Sequence, residues 1–330
     1  MRKPLISICI PVFNSEKWLE ECLESIKMQN VKEIEVLVLS DCSSGLSDEG
    51  LNCKQIVKKF KKSVRFPVKY LEHTHNQGLV EVRRGLCYSA SGKYIFMMDS
   101  DDILAPQGLD ILLKTAQENQ ADFDIVHGAS KNFFSSKKNE LEFTEYGNKN
   151  LVKPCCYYER DVFDKFLTKD YSSFLWGKLY KRELLLLAFE KIPYNYCNLA
   201  ENYLIYFFTA LYAKSYCGIQ DEVYYYRQKS GMTAANKIET IEQWKFNCSA
   251  ATVFSILFTW QKEEAAITGK NPLTPEENLE IQKDTVRYIQ NNLKILEELV
   301  IPELQQEAYK ILCDFWGENL VKRVEKTIKA

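Results

Sequence analysis

Histidine is scarce in this chain of 330 residues, and no Cys-x-x-Cys occurs among its 11 cysteines. With only His73, His75 and His127 available, a zinc site of the Cys/His kind has little to build on. Cys155 and Cys156 are adjacent and the other cysteines scatter without paired spacing, the pattern of a reduced, cytoplasmic chain. Long hydrophobic runs are missing as well. Leu184 to Phe189 is among the longest, far short of the roughly 18 residues that span a bilayer. Arg2-Lys3-Pro4 leads into an apolar stretch that ends at Pro11, too short and too soon interrupted for a secretory signal. Net charge is nearly absent: 43 Lys+Arg stand against 45 Asp+Glu, a formal −2. That argues against a general nucleic-acid binder, which shows a basic excess. There is no Gly-x-Gly-x-x-Gly after the first strand-like run and no Walker-type lysine loop. A dinucleotide dehydrogenase and a P-loop NTPase are both disfavoured.

What is present is the balance of a soluble globular protein, 46% hydrophobic and 27% charged, long enough for one large domain or two. The first half alternates strands and helices. Leu5 to Val12, Ile34 to Leu39, Val68 to Leu71 and Tyr94 to Met98 read as strands. Between them, Trp18, Leu19, Cys22, Leu23 and Ile26 fall on one helical face, with Ser15 placed to cap its start. Leu51, Ile56, Val57 and Phe60 form a second stripe, and Leu79, Val82 and Leu86 a third. Leu109, Leu112, Leu113 and Ala116 follow Pro106, and Asp124 to His127 return as a strand. Strand-helix units in series imply an α/β fold with a mostly parallel sheet covered on both faces. Ligands in such sheets bind at the carboxyl ends of the strands. His127, at the end of that last strand, reads as a satisfied buried histidine and not as a metal ligand.

The residues after each strand are polar and small: Pro11-Val12-Phe13-Asn14, Ser40-Asp41-Cys42-Ser43-Ser44-Gly45 and Asp99-Ser100-Asp101-Asp102. Three carboxylates within four residues are costly to hold together without a counter-charge. Asp99 and Asp101 alternate along an extended chain and can share a face, while Asp102 points elsewhere. Hard oxygen ligands of this kind suit Mg²⁺ or Mn²⁺ with a phosphate completing the shell. On spacing alone, a solvated acidic turn explains them equally well. Their position at the carboxyl end of a central strand favours the metal.

With these segments in order, the sequence resembles the family 2 glycosyltransferases, which have the GT-A fold and use nucleotide-sugar donors. Ile8 to Asn14 resembles the family's opening strand and Val38 to Asp41 its second. Asn76-Gln77-Gly78 followed by Arg83 matches the loop and helix before the metal motif. Gly92 to Asp102 carries the Asp-x-Asp motif with its strand. Trp176 to Arg182 and Tyr224 to Arg227 also look familial. The resemblance covers residues 4 to 235 and is nearest to bacterial transferases of lipooligosaccharide or capsule synthesis.

The resemblance implies a site. Pro11 and Phe13 would line a uracil pocket, with Phe13 replacing the usual tyrosine, and Asp41 would accept the base N–H. Asn14, Asn76, Gly78 and Ser100 would belong to the same donor pocket. Arg83 would lie near the diphosphate, Asp99 near ribose and metal, and Asp101 would ligate the metal directly. Trp176 and Lys178 would meet the acceptor. The implied activity is metal-dependent, inverting transfer of a hexose or N-acetylhexosamine from a UDP-sugar to a glycan or lipid-linked oligosaccharide. A sugar nucleotidyltransferase would need a Gly-rich basic opening loop, which Pro11 to Asn14 does not supply.

One position departs from the family. Its general base is the second residue of a Glu-Asp pair, and here the pair reads Glu201-Asn202. A neutral amide is no base. Glu201 takes the role, or another carboxylate does, or the chain binds donor without efficient transfer, Asn202 being natural or introduced. An Asn at a helix start is also an ordinary cap.

Residues 236–330 lie outside the resemblance and read as a helical extension to the 1–235 catalytic domain. Trp244, Ala251, Phe254, Leu257 and Phe258 make one stripe, and Pro272 to Glu277 a break with a helix start. Leu312, Phe315, Trp316, Leu320, Val324 and Ile328 make a last apolar face, beside Lys322, Arg323, Lys326 and Lys329. That face packs on the catalytic domain or on a second subunit as a homodimer, or rests peripherally on an anionic membrane.

Overall fold

Seven residues without an exposed side chain, Ile6–Val12, form β1 at the middle of the sheet. The computed structural model describes residues 3–118, 122–135, 141–144, 150–228 and 237–329. β1 leads into α1 (Glu16–Lys27), β2 (Ile34–Ser40), α2 (Cys53–Ser63), β3 (Val68–Glu72), α3 (Leu79–Ser89) and β4 (Tyr94–Met97). Both β1 and β2 are buried along their whole length, as strands covered on two faces must be. α1 turns Leu19, Cys22, Leu23 and Ile26 onto the sheet. α2 starts in a capping box, Asn52 and Gln55 each satisfying the other's backbone amide. Each fully buried Leu or Ile here contributes about 1.5–3 kcal/mol.

β5 (Ile103–Leu104), α4 (Gly108–Gln117), β6 (Ile125–Ser135), β7 (Leu141–Thr144), β8 (Cys156–Tyr158), α5 (Arg160–Leu167), β9 (Lys178–Lys181), α6 (Arg182–Lys191), α7 (Glu201–Tyr212) and β10 (Ser215–Arg227) follow. The main strand order is β3-β2-β1-β4-β9-β6-β10-β5. The four N-terminal strands are parallel, as the strand-helix alternation requires. Beyond β4 the sheet becomes mixed, because β9 inserts antiparallel between β4 and β6. β10 then pairs parallel with β6 and antiparallel with β5 and β8. This is the α/β class expected from the sequence, but the sheet is mixed and not mostly parallel, because β5, β7, β8 and β9 all pair antiparallel. His127 lies in β6 as a satisfied core residue, its Nδ1 2.8 Å from the Tyr216 hydroxyl and its Nε2 2.9 Å from Asn150 Oδ1.

The chain divides into two compact units, Met1–Lys191 with Ile205–Gly231, and Ile192–Leu204 with Met232–Ala330. This differs from a single cut at residue 235: the segment containing Glu201 and Asn202 groups with the helices. The second unit contains α8 (Ile241–Cys248), α9 (Ala250–Thr268), α10 (Pro275–Glu298), α11 (Gln305–Trp316) and α12 (Glu318–Lys329). Thr274 and Glu277 form a capping box around Pro275, the first residue of α10, at the expected break. The buried indoles of Trp244 and Trp316 donate to Ala308 O and Asn292 Oδ1. The last apolar face belongs to two helices, not one. Gly317, at φ +85°, ends α11 in a conformation that L side chains rarely adopt. Leu312, Trp316, Val321 and Val324 are buried, which supports packing for that face, while Ile328 is exposed. No helix among the described residues is long and apolar enough to cross a membrane.

Candidate functional site

β1 has β2 on one side and β4 on the other, so the chain winds outward to β3 and then returns across β1 to form β4. The carboxyl ends of β1 and β4 therefore flank a topological switch point, where α/β sheets bind ligands. Pro11 is buried within β1, and Phe13 emerges 38% exposed, so its ring is available to a ligand and is not core. Asn14 follows at φ +54° and Cys42, just after β2, at φ +56°. Non-glycine residues in this region store about 1–3 kcal/mol each, held by the surrounding structure. Here the holding contacts join the two loops: Asn14 N donates to Ser43 Oγ at 2.7 Å, and Ser44 N to Asn14 Oδ1 at 3.1 Å. Ser15 stands at the α1 N-cap position but makes no capping hydrogen bond. Its hydroxyl is drawn instead to Ser100, Oγ to Oγ 2.6 Å, tying the β1 end to the β4 end.

Asp41 is nearly fully buried and preorganised. Its Oδ1 accepts from Gln77 N at 2.9 Å and lies 2.8 Å from His73 Nδ1, while Oδ2 accepts from Gly78 N at 2.9 Å. A carboxylate has about four acceptor positions. Three of these are taken by protein groups. Gly78 can present its amide because φ is +86° there, immediately before α3. Asn76 lies half-buried in the same loop.

The acidic turn sorts its three carboxylates. Asp102 is fully buried; Oδ1 accepts from Arg227 N at 2.7 Å and Oδ2 from the Tyr224 hydroxyl at 2.8 Å. Burial pushes its carboxyl well up, and the charges of Asp101 and Asp99 push the same way. Asp102 is thus spent on holding the turn. Asp99 Oδ1 accepts from the buried Arg83 guanidinium at 3.0 Å, and a quarter of its side chain stays exposed. Asp101 is half-buried, and its carbonyl accepts from Arg227 Nε at 2.6 Å. Ser100 is buried against Ser15. The donor set of Asp101 and Asp99, hard oxygens at a strand end, fits a divalent cation. Among the described residues no three His, Cys, Asp or Glu are grouped to enclose one. Diphosphate oxygens and water would therefore fill the remaining positions, as is usual for Mg²⁺.

Two residues that the sequence reading left without a role organise this turn. Tyr224 and Arg227 lie on β10, more than 120 residues downstream. The Tyr224 hydroxyl also accepts from Asp99 N at 3.0 Å, so one oxygen bridges both ends of the motif. Burial, with the Asp102 charge beside it, pushes the phenol well up, keeping it a donor. The Arg227 guanidinium lies over the Trp18 and Phe133 rings, 4.3 and 4.5 Å from their centroids, and Nη2 donates to Glu21 at 2.5 Å. The only sequence signal for either was the Tyr-Tyr-Tyr-Arg string itself.

Trp176 and Lys178, expected at an acceptor, lie in the interior. Trp176 stacks between Phe174 and Tyr224, at 4.8 and 5.0 Å, with Tyr226 at 5.2 Å. Lys178 has no exposed surface and donates to Phe174 O; burial lowers its pKa well below the usual lysine range. Neither presents a face to solvent: Trp176 is 3% exposed within the aromatic stack and Lys178, on the inner strand β9, is fully buried. In the helical unit, Glu201 is buried at the start of α7, directly after Ala200 at φ +65°. Asn202 is half-buried, and its Oδ1 has no hydrogen-bond partner among the described residues.

Residues 7–186 match the model of glycosyl transferase family 2. Glycosyltransferase GlyA of Streptococcus pneumoniae serotype 4 is 29% identical over 236 residues, 68% of this chain and 31% of GlyA. The chain spans less than two thirds of the length of the first curated relatives it matches, 31% to 62%. Among solved structures, Staphylococcus aureus TarS 1-349 in complex with UDP-GlcNAc superposes with a TM-score of 0.56 at 19% identity. That match covers 98% of this chain and 91% of TarS 1-349. The mannosyltransferase PcManGT of Pyrobaculum calidifontis, in complex with GDP-Man and Mn²⁺, has a TM-score of 0.51 at 16% identity, covering 98% and 83%.

Proposed function

Because this chain belongs to glycosyl transferase family 2, we propose that it is a divalent-cation-dependent, inverting glycosyltransferase that moves a hexose or N-acetylhexosamine from a UDP-sugar to a glycan acceptor. The observation that carries this reading is the sorted acidic turn at the switch point. Asp102 is locked to Tyr224 and Arg227, while Asp99 keeps a quarter of its side chain exposed and Asp101 is half-buried. The uridine assignment rests on Asp41, whose remaining acceptor position suits the N–H of a pyrimidine, and on the exposed ring of Phe13. The UDP-GlcNAc bound to TarS agrees with it, whereas PcManGT holds a guanine donor on the same fold.

Asp101 and Asp99 would hold the cation. When bound, it supplies Lewis-acid stabilisation of the charge that develops on the departing diphosphate. Phe13 and Asp41 orient the base, and Arg83 places positive charge beside Asp99. The acceptor hydroxyl oxygen attacks the anomeric carbon as the bond to the diphosphate oxygen breaks, inverting that carbon. Glu201 takes the hydroxyl proton as general base. Extended glycans of bacterial surface polysaccharide or lipooligosaccharide, lipid-linked or free, are the acceptor class in this reading.

Asn202 favours a second reading, a donor-binding subunit with little turnover, because the base position of the family carries an amide here. The test is UDP release with Mn²⁺ across UDP-sugars and acceptors, comparing the native chain with Asp101→Ala, Glu201→Gln and Asn202→Asp. Turnover lost in Asp101→Ala and Glu201→Gln supports the transferase. No turnover with any donor, restored by Asn202→Asp, supports the binding subunit. Full activity in Glu201→Gln moves the base elsewhere.

A further inference from the structure

β8 and β10 pair antiparallel with Cys156 directly opposite Cys217, 61 residues apart in sequence. Flanking hydrogen bonds fix the kind of position this is. Gly218 N donates to Cys155 O and Glu159 N to Lys214 O, so 155/218 and 159/214 are hydrogen-bonded pairs. Alternation along the ladder then makes 156/217 a non-hydrogen-bonded pair. Opposed Cα atoms at such pairs lie about 4.5 Å apart with side chains on one face, within the span of a disulfide. The two side chains meet: Cys156 Sγ lies 2.8 Å from Cys217 Sγ, and both are free thiols.

The two sulfurs are unlike. Cys156 is exposed and reachable, while Cys217 is half-buried, and burial with the neighbouring Cys156 pushes its thiol up to about 12. Cys155, the adjacent thiol, points to the other face of the strand, with Sγ 3.6 Å from Lys153 O. Reach, register and asymmetry together define an attacking and a resolving cysteine.

We propose that Cys156 and Cys217 are a thiol pair that closes reversibly to a disulfide, stapling β8 to β10 in response to a low-molecular-weight disulfide oxidant. The Cys156 thiolate attacks one sulfur of the oxidant. That S–S bond breaks, one small thiol leaves, and Cys156 carries a mixed disulfide. Cys217, its proton lost to solvent, attacks the Cys156 sulfur and expels the second small thiol. Two protein thiols are oxidised by two electrons, and one small disulfide is reduced to two thiols.

The full chain is incubated with oxidised glutathione, quenched with N-ethylmaleimide, and mapped by non-reducing peptide mass spectrometry. The expected result is a cross-linked peptide pair containing Cys156 and Cys217, two hydrogens lighter than the reduced pair and cleaved by dithiothreitol. Cys217→Ser should stop at a glutathione adduct on Cys156, and Cys156→Ser should leave Cys217 alkylated. A Cys155–Cys156 cross-link, a stable glutathione adduct on the native chain, or alkylation of both thiols in the native chain overturns the proposal.

Discussion

The Tyr224 hydroxyl donates to Asp102 Oδ2 at 2.8 Å while accepting from Asp99 N at 3.0 Å, so a single oxygen clamps both ends of the acidic turn. The turn's geometry is therefore set from β10 and not by the turn residues alone. The third carboxylate of the motif works as a structural anchor.

Tyr224→Phe should keep the ring stack and lose the clamp. The Asp102 oxygen and the Asp99 amide both lose a partner, and each buried orphan costs about 1–3 kcal/mol. Denaturant unfolding should show a loss on that order with a folded native state, and UDP release should fall by about tenfold or more. Unchanged turnover would mean that the turn holds its shape without Tyr224.

Arg83→Lys keeps the charge but replaces a planar donor group with a point charge at a buried position facing Asp99. Because a quarter of the Asp99 side chain meets solvent, the stability loss should be modest, about 1–2 kcal/mol. The larger effect should fall on donor KM, read from initial rates against UDP-sugar concentration.

Asp41→Asn places an NH₂ where at least one protein donor now points, against Gln77 N, Gly78 N or His73. The loop before α3 should loosen, with a loss of about 1–3 kcal/mol in unfolding free energy. Affinity for UDP, measured by calorimetry, should weaken as well. A variant of native stability and native UDP affinity would remove Asp41 from the base pocket.

His127 predicts an acid limb in the stability profile. Burial, reinforced by the Lys178 charge, holds its imidazole well below the ordinary value of 6.5. As pH falls through 6.5 the unfolded chain takes up a proton that the folded chain refuses, so stability present above 6.5 declines below it. One such proton gives a slope of about 1.4 kcal/mol per pH unit. Compared between pH 7 and 5, urea midpoints of the native chain should fall more steeply with acid than those of His127→Gln, by this slope.

The site divides by how local its determinants are. Asp41 and the Asp99–Asp102 turn follow apolar strands, so strand pattern alone placed them at strand ends. The alternation of strand and helix up to β4 was equally legible, since each unit buries its own stripe on the sheet. Tyr224 and Arg227 were not, because their partners lie 122 and 125 residues away and only the sheet order joins them. Ser15 was read as a cap from its position, but a cross-loop partner, Ser100, competes for its hydroxyl. Cys156 and Cys217 meet only through strand register. Trp176 and Lys178 looked ligand-facing in sequence, where nothing reveals the rings that cover Trp176 or that β9 is an inner strand. Pattern speaks for elements, and long-range pairing decides what their ends can touch.

The stack of Trp176 on Tyr224 gives the protein its own optical gauge. The indole lies 5.0 Å from a phenol whose oxygen touches Asp102, and Trp18 lies beneath the Arg227 guanidinium that grips Asp101. Two of the five tryptophans thus report on the same acidic turn. Any rearrangement of that turn reaches their excited states through one or two contacts, so intrinsic emission should report it without a label and without turnover.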